Sequence, residues 1–294
     1  MNDASGTFTG IDAVIRWFEG AARDLPWRTQ PAQPWGVLVS EVMLQQTPVA
    51  RVLPVFETWM RRWPRPADLA GEPAGEAVRA WGRLGYPRRA LRLHAAAQHC
   101  VDRFGGNVPA DIAELRSLPG VGEYTAAAVA SFAFQQRHAV LDTNVRRVHG
   151  RWLDGVEHPV TASVTSPERQ RALDLLPMDP PRAAVVSIAV MELGALVCTS
   201  RTPSCGACPL TQVCAWRRSG YPRHTGAPRR SQPWEGTDRQ CRGTLMAVMR
   251  DAEGPVSHSD LHGAWNNAAQ RKRALAGLVA DGLIVDEAEV YRLP

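Results

Sequence analysis

Leu118-Pro119-Gly120-Val121-Gly122 separates two helical stretches and leads, through Glu123, into Tyr124-Thr125-Ala126-Ala127-Ala128-Val129-Ala130-Ser131. Glycine at positions 120 and 122 lets backbone N–H groups approach an anion closely, and the helix that follows turns its positive dipole end toward the same place. A turn of this kind grips a phosphate without reading a base. It also serves as a plain helix–helix connection, and the five residues alone do not separate the two. The small side chains from Thr125 to Ser131 allow tight packing, which would fix the hairpin against a neighbour.

On either side the chain continues in the same manner. Apolar residues at helical spacing predict helices over 37–46, 76–82, 89–104, 124–134, 143–153, 167–176 and 182–196. Strand signals are few, and connections carry Pro or Gly, as in Pro64-Arg65-Pro66 and Asp179-Pro180-Pro181. The body is all-α. Residues 219–238, rich in Gly, Pro, Arg and Ser, are expected to be a linker. The tail 239–294 predicts helices over 244–250 and 270–281 and one or two short strands over 283–293, an order reminiscent of a winged helix.

The 294 residues suffice for two lobes and a small appendage. The formal net charge of +5 suits a phosphate-bearing partner without requiring one. No apolar run approaches the ~20 residues that span a bilayer, and the N-terminal ten residues lack a basic-then-apolar signal pattern. The expectation is a cytoplasmic protein with no membrane partner, acting as a monomer. Arginine supplies nearly all the basic charge: Lys272 is the sole lysine, so chemistry that needs a lysine amine has only that position.

Four of the six cysteines, Cys198, Cys205, Cys208 and Cys214, follow the pattern C-x6-C-x2-C-x5-C. Four thiolates on one short loop can occupy the corners of a [4Fe–4S] cube. They can also hold a structural zinc, and spacing does not choose between the metals. Disulfides are disfavoured in a reducing compartment. Pro203 and Pro209 stiffen the loop, and Arg201, Arg217 and Arg218 flank it. Cys100 and Cys241 fall outside the pattern.

Two carboxylates stand out. Glu41 lies in Val37-Leu38-Val39-Ser40-Glu41-Val42-Met43-Leu44, apolar on nearly every side. Buried there it would keep its proton near neutral pH and could act as a general acid; at the helix edge it would be an ordinary exposed glutamate. Gln45, Gln46 and Thr47 follow with groups suited to base edges. Asp142 precedes the helix from Thr143 and reads as an N-cap, a position where the helix dipole favours an ionised carboxylate. An ionised carboxylate is what a developing sugar oxocarbenium ion requires.

These segments, with Leu25-Pro26-Trp27-Arg28, Trp81-Gly82-Arg83-Leu84-Gly85-Tyr86, Leu141-Asp142, Asn144-Val145 and Glu192-Leu193-Gly194-Ala195, resemble the helix-hairpin-helix DNA glycosylases related to endonuclease III, and among them the adenine DNA glycosylases of the MutY type. The resemblance covers roughly residues 11–222. It implies a two-lobed helix-hairpin-helix fold: a core over 1–218, with a six-helix lobe at about 29–136 and a cluster lobe from 1–28 and 137–218. Beyond the core lie the linker and a small C-terminal α/β appendage.

The resemblance further implies an enzyme that flips adenine out of double-stranded DNA at A·8-oxoguanine or A·G mispairs and hydrolyses its N-glycosidic bond. Glu41 would protonate the base, and Asp142 would stabilise the sugar cation or bond to it transiently, with Asn144 in support. Tyr124 occupies the position where strand-nicking relatives carry a Schiff-base lysine, which implies a monofunctional enzyme. Gln46, Thr47, Leu84 and Tyr86 match duplex-wedging positions, Arg28 a pocket arginine, Gly120, Val121 and Gly122 the phosphate-gripping hairpin, and the four cysteines a [4Fe–4S] cluster. The chain departs from the pattern at Thr143, where glycine is common, at Pro87, where a second aromatic is frequent, and in a tail too short for the Nudix-like domain many relatives carry. A thymine glycosylase acting on T·G mismatches, endonuclease III itself and a non-catalytic DNA-binding scaffold are the alternatives. Glu41, Tyr124 and the Glu41–Asp142 pair, respectively, argue against them.

Overall fold

The computed structural model describes residues 4–29, 31–224 and 234–294. The expected linker is described only at its two ends, because residues 225–233 lie outside the described residues. Helices α1 (Ala4–Ala21), α2 (Pro34–Leu44), α3 (Val49–Arg62), α4 (Pro66–Ala70), α5 (Ala74–Ala80), α6 (Arg88–Phe104) and α7 (Ile112–Ser117) precede the hairpin turn. After it come α8 (Glu123–Phe134), α9 (Thr143–His149), α10 (Ser166–Leu175), α11 (Pro180–Leu196) and α12 (Ala215–Arg218). The tail runs α13 (Asp238–Asp251), β1 (Val256–Ser257), α14 (His258–Ala264), α15 (Ala268–Ala280), β2 (Val285–Glu287) and β3 (Val290–Arg292). The chain is mainly helical, as its residue pattern predicts. Among the described residues no helix is long and apolar enough to cross a membrane.

Two compact units divide the chain. The first takes Met1–Val37, Ala110–Leu115 and Gly122–Ala227. Its core joins Ile11 and Val14 of α1, Val145 and Val148 of α9, Trp152, and Val186, Val190 and Leu193 of α11. Trp152 lies on a π-helical turn, Gly150–Asp154, where an uninterrupted α-helix to residue 153 is expected from the sequence. Helix α8, made of small buried residues from Thr125 to Ser131, belongs to this unit, although its position in sequence places it in the six-helix lobe.

The second unit takes Leu38–Pro109, Arg116–Val121 and Pro228–Pro294. Val52, Phe56 and Trp59 line the buried face of α3, and Trp59 meets Trp63 edge-on at 4.7 Å and Trp81 at 5.9 Å. The tail is part of this unit. Its sheet order is β1-β3-β2, with both pairings antiparallel. Arg79 donates to the carbonyls of Arg250 and Ala252 and so caps the end of α13, and Arg88 pairs with Asp281 at 3.1 Å. Among the described residues 234–294, seven Arg and Lys face nine Asp and Glu, so the positive charge of the chain resides elsewhere.

Candidate active site

In the first unit Asp142 is the N-cap of α9. Its Oδ1 accepts from the Val145 backbone N–H at 2.6 Å, and its Oδ2 accepts from the Asn144 amide at 2.8 Å. Arg147, one turn on, donates to Asn144 Oδ1 at 2.8 Å and to the Gly194 carbonyl at 2.7 Å, which fixes the amide so that its NH2 points at Asp142. Gly194 makes this possible: a Cβ there would lie 2.7 Å from the Cβ of Asn144, so α9 rests directly on the α11 backbone. Burial pushes the Asp142 carboxyl above its usual value, against the pull of the Val145 and Asn144 hydrogen bonds and the Arg147 charge. The cap geometry is as the sequence predicts, but desolvation outweighs the helix-end effect. Some of the residue's surface still meets solvent. Tyr124, in the first turn of α8, is half-buried and packs against the cluster of Ala127, Ala128 and Val140.

Arg28 belongs to this unit as well. Its Nη2 donates to Glu192 at 2.8 Å, beside the bidentate Arg23–Glu192 pair at 2.7 Å. Arg28 Nη1 is buried with no acceptor. Glu192 is fully buried, and its two arginines lower its pKa to about 2 against the opposing effect of burial. The sequence marks Glu192 only as a carboxylate inside an apolar helix, and its partners, some 165 residues away, are not legible there.

The cysteine loop closes the same unit. Cys198 follows α11, Cys205 starts a 3-10 turn, and Cys214 caps α12. Arg151, almost wholly buried, reaches Cys198 Sγ at 3.5 Å and the carbonyls of Thr199 and Ser200, and its guanidinium lies 4.5 Å from the Trp216 ring centre. Arg147 donates to the Cys198 carbonyl at 2.8 Å. Burial pushes the Cys208 thiol up to about 12, and the charges of Cys198, Cys214 and Cys205 push in the same direction. Four cysteines whose thiolates would repel one another, beside two buried guanidiniums, fit a group that brings its own positive metal charge and carries a net negative charge once bound. Among the described residues, no three His, Cys, Asp or Glu side chains meet closely enough to hold a single ion.

In the second unit Glu41 is buried on α2, so the exposed-edge reading does not hold. Of the expected DNA contacts, Gln46 and Tyr86 are exposed, while Thr47, Leu84 and Val121 have buried side chains. Thr47 Oγ1 donates to the Leu84 carbonyl at 3.3 Å. Gly120 has φ +81°, and a Cβ there would lie 2.8 Å from Arg92 Cβ; both facts require glycine at the turn. Gly120 is exposed; Gly122, which the first unit contributes, is exposed too and offers α8 no side-chain cap. Sequence reasoning missed Arg89, which is buried and bonded to both the 42–47 and the 85–86 segments. One arginine among many in this chain carries no signal of burial.

The HhH-GPD superfamily of base excision DNA repair proteins matches residues 39–162. An adenine DNA glycosylase of Mycobacterium tuberculosis (strain ATCC 25618 / H37Rv) is 52% identical over 274 residues, covering 92% of this chain and 88% of that one. The chain belongs to the adenine DNA glycosylases. Another adenine DNA glycosylase, from Mycolicibacterium smegmatis (strain ATCC 700084 / mc(2)155), is 47% identical over 94% of this chain and 92% of its own. Among solved structures, a thermostable thymine-DNA glycosylase superposes with a TM-score of 0.65 at 25% identity, covering 74% of this chain and all of that one. Membership in the adenine DNA glycosylases makes the chain a DNA N-glycosylase of base excision repair.

Proposed function

We propose that this chain removes adenine mispaired with 8-oxoguanine or guanine in double-stranded DNA, as a monomer and without nicking the strand. The observation that carries the reading is Asp142, a carboxylate fixed by Asn144 and by the start of α9 in a chain with tyrosine at position 124. The flipped adenine takes a proton at N7 from Glu41. The C1′–N9 bond then breaks with its electron pair leaving on the base. Asp142 faces the positive charge that develops at C1′ and stabilises it or bonds to it transiently. Water supplies the hydroxyl of the abasic product, and its second proton passes to a carboxylate. Glu41 and Asp142 belong to different compact units, and their convergence on one nucleotide is part of the proposal.

Arg28, held by Glu192 with Nη1 unspent, has a donor to offer an adenine ring. Gly120 and Gly122 offer backbone N–H groups to a phosphate. Cys198, Cys205, Cys208 and Cys214 would hold a [4Fe–4S] cluster, which when bound would partly offset the thiolate charge and fix the loop for backbone contact. Arg147 and Arg151 anchor that loop to α9 and to the π-helical turn after it.

The reading is tested by borohydride trapping and by strand scission after adenine release. The expected product is an intact abasic strand that breaks only on alkali treatment. A borohydride-stable protein–DNA adduct or scission without alkali would contradict a monofunctional reaction.

A further inference from the structure

Among the described residues, five non-glycine positions have positive φ; Gln46 at +57° and Tyr86 at +48° are two of them. Such backbone is strained, persists only where its surroundings enforce it, and collects at functional sites. Both side chains are exposed, Tyr86 by 57%. The two residues are 40 positions apart, yet one side chain holds the backbone beside each. Arg89 Nη1 shares its protons among the carbonyls of Val42 at 2.8 Å, Met43 at 3.1 Å and Gln45 at 2.7 Å. Arg89 Nη2 donates to Thr47 Oγ1 and to the Gly85 carbonyl, both at 3.1 Å. The guanidinium also lies 5.1 Å from the Trp81 ring centre and 5.6 Å from that of Tyr86.

We infer that Arg89 is a positioning residue that locks Gln46 and Tyr86 into one two-pronged element, so that both enter a duplex in fixed register. The inference rests on the reading of those two side chains as duplex contacts. Capping α2 explains the bonds to the Val42, Met43 and Gln45 carbonyls, but not those to Thr47 and Gly85. No carboxylate pairs with Arg89 among the described residues, so backbone and hydroxyl oxygens of two separate segments compensate its charge. Burial lowers its pKa to about 10, which leaves it charged at neutral pH. Lysine cannot replace it, because an ammonium group lacks the planar fork that serves both segments at once. Thr47 adds a second tie through the Leu84 carbonyl, and Trp81 Nε1 steadies the 81–86 turn itself through the Gly85 carbonyl at 2.9 Å.

The test uses the full chain on an A·8-oxoguanine duplex with non-cleavable 2′-fluoroadenosine and a 2-aminopurine beside the mispair, whose fluorescence rises on unstacking. Arg89→Lys is expected to keep its helical circular dichroism and to bind about tenfold more weakly, as the loss of charge-assisted hydrogen bonds predicts. Its unstacking signal should fall as well. In the parent, Gln46→Ala and Tyr86→Ala should each reduce that signal; on the Arg89→Lys background their losses should largely vanish, the signature of coupled sites. A parent-like signal from Arg89→Lys, or losses that add in full, would overturn the inference.

Should Gln46→Ala and Tyr86→Ala leave the parent's signal intact, the duplex-contact reading has failed, and hydrogen exchange still decides the tie. Amides of residues 45–47 and 84–86 exchange faster together in Arg89→Lys if Arg89 holds them, and unchanged exchange overturns the tie. If Arg89→Lys does not fold, Thr47→Val, which removes one acceptor and one cross-link, takes its place in every comparison.

Discussion

Asn144 turns its amide onto Asp142, Nδ2 to Oδ2 at 2.8 Å, while Arg147 holds the other end of the amide at 2.8 Å. The carboxylate thus has a fixed orientation in a site that burial makes more basic than an ordinary aspartate. Asp142→Asn keeps the Oδ1 cap acceptor and removes the charge. Single-turnover assays should show base release lost with duplex affinity retained. A parent-like rate would remove Asp142 from the mechanism.

The sign of the Asp142 shift carries a stability consequence. A carboxyl whose folded pKa is raised contributes most below its unfolded pKa, and that contribution is lost as pH rises through the folded value. Asp142→Asn should therefore melt at or above the parent temperature at neutral pH, with the difference shrinking as the pH falls into the ordinary aspartate range. A markedly lower melting temperature at neutral pH would show that the ionised carboxylate stabilises the fold.

Glu192 has the opposite sign. Its pKa is lowered from 4.5 to about 2, so its contribution is full above about 4.5 and lost as pH falls through about 2. Glu192→Gln leaves Arg23 and Arg28 without their carboxylate, a change that costs about 3–5 kcal/mol for a buried pair. Denaturant unfolding at neutral pH should show that loss, and the gap from the parent should narrow toward pH 2. A gap independent of pH would mean that packing, not charge, explains Glu192.

A general acid at position 41 predicts a fall of at least ~10²-fold in single-turnover rate for Glu41→Gln, with duplex binding retained. Glu41 is buried, so circular dichroism should accompany the rate measurement. A rate within a few-fold of the parent would assign proton donation elsewhere.

If the cysteine loop holds a [4Fe–4S] cluster, the purified protein is brown with about four irons per chain, and Cys208→Ser loses both. A colourless protein with one zinc would contradict the cluster.

The parts of this account that depend on local pattern were legible in the sequence. Gly120 and Gly122, the Asp142 cap, the cysteine spacing and the apolar helix around Glu41 all act within a few residues. Helix α3 was not legible, because Pro54 lies inside it and Pro48 just before it. The burial of Thr47 and Leu84 was not legible either, because it depends on contacts some 40 residues apart, Thr47 with the Leu84 carbonyl and with Arg89. Arg89, Glu192 and the β1-β3-β2 sheet depend on partners tens to more than a hundred residues distant. Spacing reveals residue types suited to a role, but only the folded chain pairs them.

Base release from four duplexes, carrying A·8-oxoguanine, A·G, T·G and thymine glycol, tests the substrate assignment most directly. The account predicts free adenine from the first two and no release from the others. Thymine released from T·G with adenine untouched would contradict it.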